Sequence, residues 1–227
     1  MVDIMAIGTH PDDVEFGCGG ILCREAAEGR SIVIVDLTPG QKATNGTPAE
    51  RRQEALASAK IIGAERICLD FDDCEIIDSY AGRLKLVEAI RKYQPRLVLA
   101  PLWSGVQQHP DHTATGYMAR AACRYARFAK ILPDLPTHWV EGILHYSGAI
   151  HEPVDFLIDV SNYITLWTSM MECHHSQMKT YDYIARVTKT AQYLGVMIGC
   201  QYAQGLAKSN PIQIDDIMKV SRAVREL

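Results

Sequence analysis

At 227 residues the chain is long enough to bury roughly 70% or more of its unfolded surface around a single core, so one domain over residues 1–227 is the expectation. Its 23 basic and 27 acidic residues leave a net charge of −4 and form no lysine- or arginine-rich block, so neither nucleic acid nor a membrane surface is supported and a small-molecule partner is expected. The seven cysteines are scattered with no CxxC pair, and neither a signal-like start nor an apolar run of ~18 residues is present, which reads as a reduced, cytoplasmic protein.

The first apolar run, Val2 to Gly8, suits a buried strand, and Cys18 to Gly29 reads as a helix closed by glycine. Between them His10, Asp12, Asp13 and Glu15 crowd one strand-to-helix loop, the position where α/β proteins bind ligands. A dinucleotide fingerprint fails here. Gly17, Gly19 and Gly20 come too late and at the wrong spacing, and Asp12 and Asp13 would repel a pyrophosphate from the helix N–H groups.

Ser31 to Thr38 is a second β-branched strand, followed by a long loop over 39–48. Thr47, Pro48 and Glu50 spell a capping box that opens a helix running to Gly63. A third strand is expected over Glu65 to Phe71, an acidic loop over Asp72 to Asp78, a helix from Tyr80 to Tyr93 stopped by Pro95, and a fourth strand over Arg96 to Leu102. That strand leads into Gln107-Gln108-His109-Pro110-Asp111-His112 and an alanine-rich helix from Thr113 to Ala129.

Gly142 to Ser147 and Val154 to Val160 read as two strands close enough in sequence to pair antiparallel, and 161–199 as mainly helical with a break near His174 to Tyr181. The tail from Gln201 carries turn signals at Gly205 and Ser209-Asn210-Pro211 and a short helix at its end. This rhythm predicts an α/β fold: a doubly wound, mostly parallel, Rossmann-like sheet with a mixed edge, and both histidine clusters at the carboxyl ends of its strands.

His10 and Asp13 lie three apart in a turn, and His112 adds a third donor from another strand end. Two imidazoles and a carboxylate suit catalytic Zn²⁺ and equally a non-haem Fe²⁺ centre. Asp12 favours hydrolysis, being next to a ligand yet free to take a proton from a water held there. His109, uncoordinated but near, suits a protonated group that steadies an oxyanion or serves a leaving amine. Glu15 reads as a first-turn acid or a hydrogen-bond partner of a ligand, and Cys18 as a buried thiol in preference to a soft ligand.

His10-Pro11-Asp12-Asp13-x-Glu15 with His109-Pro110-Asp111-His112 resembles the zinc-dependent N-acetylglucosamine deacetylases of the LmbE-like or PIG-L family over nearly the whole chain. Val35 to Thr38, Asn45-Gly46-Thr47 with Arg51, Ala59-Lys60-Ile61, Lys92 to Pro95 and the strand from Phe156 to Val160 look most like its bacillithiol-biosynthesis branch, which acts on N-acetylglucosaminyl malate. The resemblance implies zinc on His10, Asp13 and His112, Asp12 as base, His109 as stabiliser, an N-acetylated amino sugar as substrate and a homo-oligomer, in some members a hexamer. It further implies substrate contacts from Arg51, otherwise an exposed helix residue, and from Tyr183 in Tyr181-Asp182-Tyr183-Ile184-Ala185-Arg186, otherwise a packing residue.

His174-His175-Ser176-Gln177 matches a family segment through His174, whose role the sequence does not supply. Gln204 in place of a usual glutamate, and Gln41-Lys42-Ala43 in place of an acidic segment, depart from the family at positions expected to border substrate loops. The rival readings are an Fe²⁺ oxygenase on the same triad and a non-catalytic sugar-binding protein.

Overall fold

The computed structural model describes residues 1–104, 109–147 and 154–220. Among the described residues seven strands form one sheet: β1 (Val2–Gly8), β2 (Ile32–Asp36), β3 (Glu65–Cys68), β4 (Pro95–Pro101), β5 (Gly142–Tyr146), β6 (Phe156–Asp159) and β7 (Ala203–Lys208). The described residues also form the helices α1 (Asp13–Ala27), α2 (Pro48–Ile61), α3 (Tyr80–Tyr93), α4 (Pro110–Tyr125), α5 (Ile164–Glu172) and α6 (Tyr183–Ile198).

The strand order is β3-β2-β1-β4-β5-β7-β6, parallel from β3 through β5 and antiparallel on both sides of β7. This is the doubly wound, mostly parallel sheet with a mixed edge that the sequence predicts. Strands buried on both faces carry unbroken apolar runs, and the alternation along β1 assigns the faces. Ile4 and Ala6 pack towards Cys18, Leu22, Trp167 and Met170, whereas Met5 and Ile7 pack towards Leu86, Ile90, Met118 and Ala119.

The chain leaves β1 for β2 on one side of the sheet, while β4 lies on the other side of β1. Their following loops therefore part at the carboxyl edge and open the crevice expected at a topological switch point. The loop after β1 carries His10 and the first turn of α4 carries His112. Thr9 Oγ1 donates to Thr115 Oγ1 at 3.0 Å, tying the two segments together.

Several boundaries differ from the sequence expectation. α1 begins at Asp13, five residues before Cys18, because Asp13 and Glu15 in its first turn suit the helix dipole and its glycines are packed on by Tyr146 and Trp167. α4 starts at Pro110, the favoured first helical position for proline, and stops at Tyr125. β5 and β6 do not pair with each other: β7, formed by the tail around Gly205, lies between them. Near the end of the chain Ile217–Val220 form a 3₁₀ turn; 221–227, like Gln107 and Gln108 before the second cluster, lie outside the described residues. Among the described residues no helix is long and apolar enough to cross a membrane.

Candidate metal centre

His10 Nδ1, Asp13 Oδ2 and His112 Nε2 form a triangle with edges of 3.3, 3.1 and 3.3 Å. Donors ~2.0–2.1 Å from a tetrahedral ion are separated by ~3.3 Å, so the spacing and the donor set both fit a catalytic zinc-type site with a position left open. The three side chains come from the loop after β1, the first residue of α1 and the first turn of α4. Asp13 Oδ2 also accepts the His10 backbone N–H at 2.8 Å, which fixes the carboxylate locally.

The other nitrogen of His10, Nε2, lies 3.2 Å from Asp73 Oδ1 and 3.6 Å from Asp111 Oδ2. Both carboxylates are buried and anchored by backbone donors, Asp73 by Lys42 N and Asp111 by Cys74 N, each at 2.8 Å. A carboxylate behind a ligating imidazole orients the ring and strengthens it as a donor. Burial works against a charged His10, but Asp13, Asp12 and Asp73 outweigh it and raise the ring to about 9. His112 is raised as well, Asp13 overcoming its burial. The sequence reading missed Asp73 and gave Asp111 no role, since nothing in an acidic loop marks which carboxylate turns inward.

Asp12 stands beside the triangle without joining it. Its backbone, at φ 154° and ψ −24°, occupies a region that non-glycine residues rarely adopt, at a cost of order 1–3 kcal/mol. Arg51 holds it there: Nη2 lies 3.2 Å from both Asp12 Oδ2 and Pro11 O, and Nη1 3.3 Å from Gly40 O. At 3% exposure Arg51 is a buried clamp on this residue and not an exposed helix position. Burial raises the Asp12 carboxyl to about 6, with Arg51 the main opposing charge.

His109 caps α4, its Nδ1 accepting the Asp111 N–H at 3.2 Å. That bond leaves the ring proton on Nε2, so the neutral ring is a hydrogen-bond donor. Burial and the nearby His10 and His112 lower its basicity, so the surroundings oppose the protonated form that the sequence reading assigned. Its ring centroid lies 5.1 Å from that of His10. Tyr183 stacks on Phe16 with centroids 5.3 Å apart and meets Tyr181 edge-on, a packing arrangement.

Glu15 is fully buried and bound by Arg66 and His174; burial alone would raise it, but Arg66 and the His174 ring hold it below the usual carboxylate range. Ser176 and His175 fasten to Glu54 of α2, and Gln177 Nε2 donates to Asn45 O at 2.8 Å, so the histidine-serine-glutamine segment pins the loop over 39–47. Cys18 lies in the core, and among the described residues the groupings able to hold an ion do not include it. Gln204 is also buried: its Oε1 accepts from Ile21 N at 2.9 Å and its Nε2 donates to Gly17 O at 3.2 Å. It braces α1.

Comparison with solved structures finds the conserved protein TT1542 from Thermus thermophilus, with a TM-score of 0.88, 35% identity, and coverage of 94% of this chain and 97% of that one. The diacetylchitobiose deacetylase of Thermococcus kodakarensis is 28% identical over 89% of this chain and 81% of its own length. A Bacillus subtilis relative named for deacetylation of N-acetyl-α-D-glucosaminyl L-malate is only 22% identical, over 77% of this chain and 82% of its own, so the bacillithiol branch is a distant match. The model of the family described as PIG-L, GlcNAc-PI de-N-acetylase, matches residues 5–123, which include the whole donor triangle, and the chain belongs to that family.

Proposed function

We propose that the chain, acting as one catalytic domain, is a zinc-dependent N-deacetylase that hydrolyses the acetamide of an N-acetylglucosaminyl compound to acetate and a free amine. The observation that carries this reading is a triangle of metal donors with a separate, clamped carboxylate, Asp12, beside it. Family membership and the deacetylase from T. kodakarensis support the amide substrate.

His10, Asp13 and His112 would hold the ion, which when bound lowers the pKa of water to ~7 and polarises the amide carbonyl. Asp12 takes the proton from the attacking water and returns it to the nitrogen as the C–N bond breaks. His109, through Nε2–H, donates a hydrogen bond to the carbonyl oxygen as it gains charge. Arg51 keeps Asp12 oriented, and Asp73 and Asp111 keep His10 oriented. Nothing in the site favours an oxygenase, which has no use for Asp12 in this place. The seven cysteines are all free, which supports a reducing, cytoplasmic setting.

The test is a panel of N-acetylglucosaminyl compounds differing at the anomeric carbon, N-acetylglucosaminyl malate and diacetylchitobiose among them, with acetate release, oxygen uptake and metal content measured on one preparation. Acetate release dependent on zinc supports the reading. No release from any member, or oxygen uptake with iron, overturns it.

A further inference from the structure

Behind the metal triangle runs a chain of buried charges that the proposed mechanism does not use. Arg66 Nε and Nη2 grip the two oxygens of Asp36 at 2.7 and 2.9 Å, and Nη1 and Nη2 of the same guanidinium meet Glu15 on the other side. Glu15 Oε1 in turn lies 3.1 Å from His174 Nε2. Asp36, Glu15, Arg66 and His174 come from β2, α1, β3 and the segment after α5, and all are buried, Glu15 and His174 at 0% exposure.

Two buried carboxylates around one guanidinium leave a negative charge uncompensated, a costly arrangement unless a further positive charge completes it. His174 is the residue placed to do so. Its Nε2 faces Glu15 Oε1 at 3.1 Å, and among the described residues Nδ1 has no hydrogen-bond partner, so Glu15 is the group the ring addresses. Among the charges facing it, Glu15 and Asp12 favour the cation, while burial and Arg66 oppose it; the balance raises the ring's basicity.

We infer that His174 is a positioning residue that works as an imidazolium, closing the Asp36–Arg66–Glu15 chain to neutrality and setting a fixed positive charge behind Asp12. The chain joins β2, β3 and the first turn of α1, so it also holds the turn on which Asp12 and Asp13 stand. The effect on turnover rests on Asp12 being the base proposed above, whereas the charge state of His174 does not.

The test therefore has two arms. In ¹⁵N-histidine-labelled protein, with and without zinc, the His174 ring should show both nitrogens protonated at pH 7.5, and Glu15→Gln should turn the ring neutral. A neutral His174 in the parent protein overturns the inference, whatever the activity, and this measurement requires no variant to fold once the ring is assigned by through-bond correlation. In the second arm His174→Gln should bind zinc like the parent, with kcat at least tenfold lower and KM within twofold. An unchanged kcat would overturn the positioning role. Absence of deacetylation by the parent protein would overturn the functional reading instead, and the first arm would still decide the charge of His174.

Discussion

Arg51 Nη2 lies at the same distance, 3.2 Å, from the Asp12 carboxylate and from the Pro11 carbonyl, so one guanidinium fixes both the side chain and the approach of the backbone. Loss of the carboxylate in Asp12→Asn should lower turnover by ~10²–10⁴-fold, the usual share of a general base, with bound metal unchanged. Arg51→Met tests the clamp. Burial already raises Asp12 to about 6 and Arg51 is the largest opposing charge, so without it the carboxyl rises further. A base must be deprotonated to act, so the acid limb of the pH–rate profile should move to higher pH. A limb that stays in place would remove Arg51 from this role.

Metal affinity should depend steeply on pH. Burial disfavours the charged forms of His10 and His112, but neighbouring carboxylates raise His10 to about 9 and His112 in the same direction. An ion replaces those protons, so zinc affinity should climb from the ordinary imidazole value of ~6.5 towards about 9, by up to ~100-fold per pH unit where both rings are charged. The metal-free protein should behave oppositely. With the folded pKa of His10 above the unfolded one, its stabilising contribution is full below ~6.5 and is lost as pH rises towards about 9. Chelator competition and melting curves across pH 6–9 check both signs; flat profiles would count against the assignment.

Asp73→Asn addresses the support behind His10. The amide keeps the size and loses the charge 3.2 Å from Nε2. Such partners typically contribute ~10–100-fold in metal affinity, and a loss in that range is expected by competition with a zinc indicator. Equal affinity in parent and variant would leave Asp111 as the acidic partner that supports Nε2.

Gln204→Glu should destabilise the protein in a pH-dependent way. A glutamine can accept from Ile21 N and donate to Gly17 O at once, whereas a carboxylate can only accept. An unsatisfied buried carbonyl beside a buried charge costs about 1–3 kcal/mol. Protonation restores the donor, so the new side chain should have a raised folded pKa. Its deficit should be small below the unfolded value of ~4.3 and grow as pH rises above it. Urea titrations at pH 4 and 7 measure the difference, and equal deficits would contradict the brace.

Much of the site was legible because its signals are local. His10, Asp13 and His112 follow strands that advertise themselves as apolar runs, and the Thr47–Glu50 capping box and the Tyr80–Tyr93 helix were found residue for residue. What stayed hidden depends on contacts distant in sequence. Asp73 lies 63 positions from His10, and nothing in its own neighbourhood distinguishes it from Asp72. β7 escaped because Gly205 and the polar residues around it imitate a turn, although pairing on both sides makes it a strand. Arg51 read as a substrate contact or else an exposed helix residue, and its burial against Gly40 and Pro11 depends on loops that its own helix does not reveal.

The glycines of α1 give a last test, one that separates packing from phosphate binding. A Cβ on Gly17 would stand 2.1 Å from Cδ2 of Tyr146, whose hydroxyl donates to the Ile7 carbonyl at 2.7 Å and whose ring is buried in the core. The ring cannot swing aside without giving up that bond, which anchors the end of β1 just ahead of His10. Gly17→Ala should therefore cost ~1–3 kcal/mol by overpacking and lower metal affinity through displacement of the loop after β1. Adding Tyr146→Ala opens the space that the methyl needs, so the double variant should be more stable than the sum of the single effects predicts. If Gly17→Ala melted with the parent protein, the helix would have room to spare, and close packing against Tyr146 would no longer account for glycine at this position.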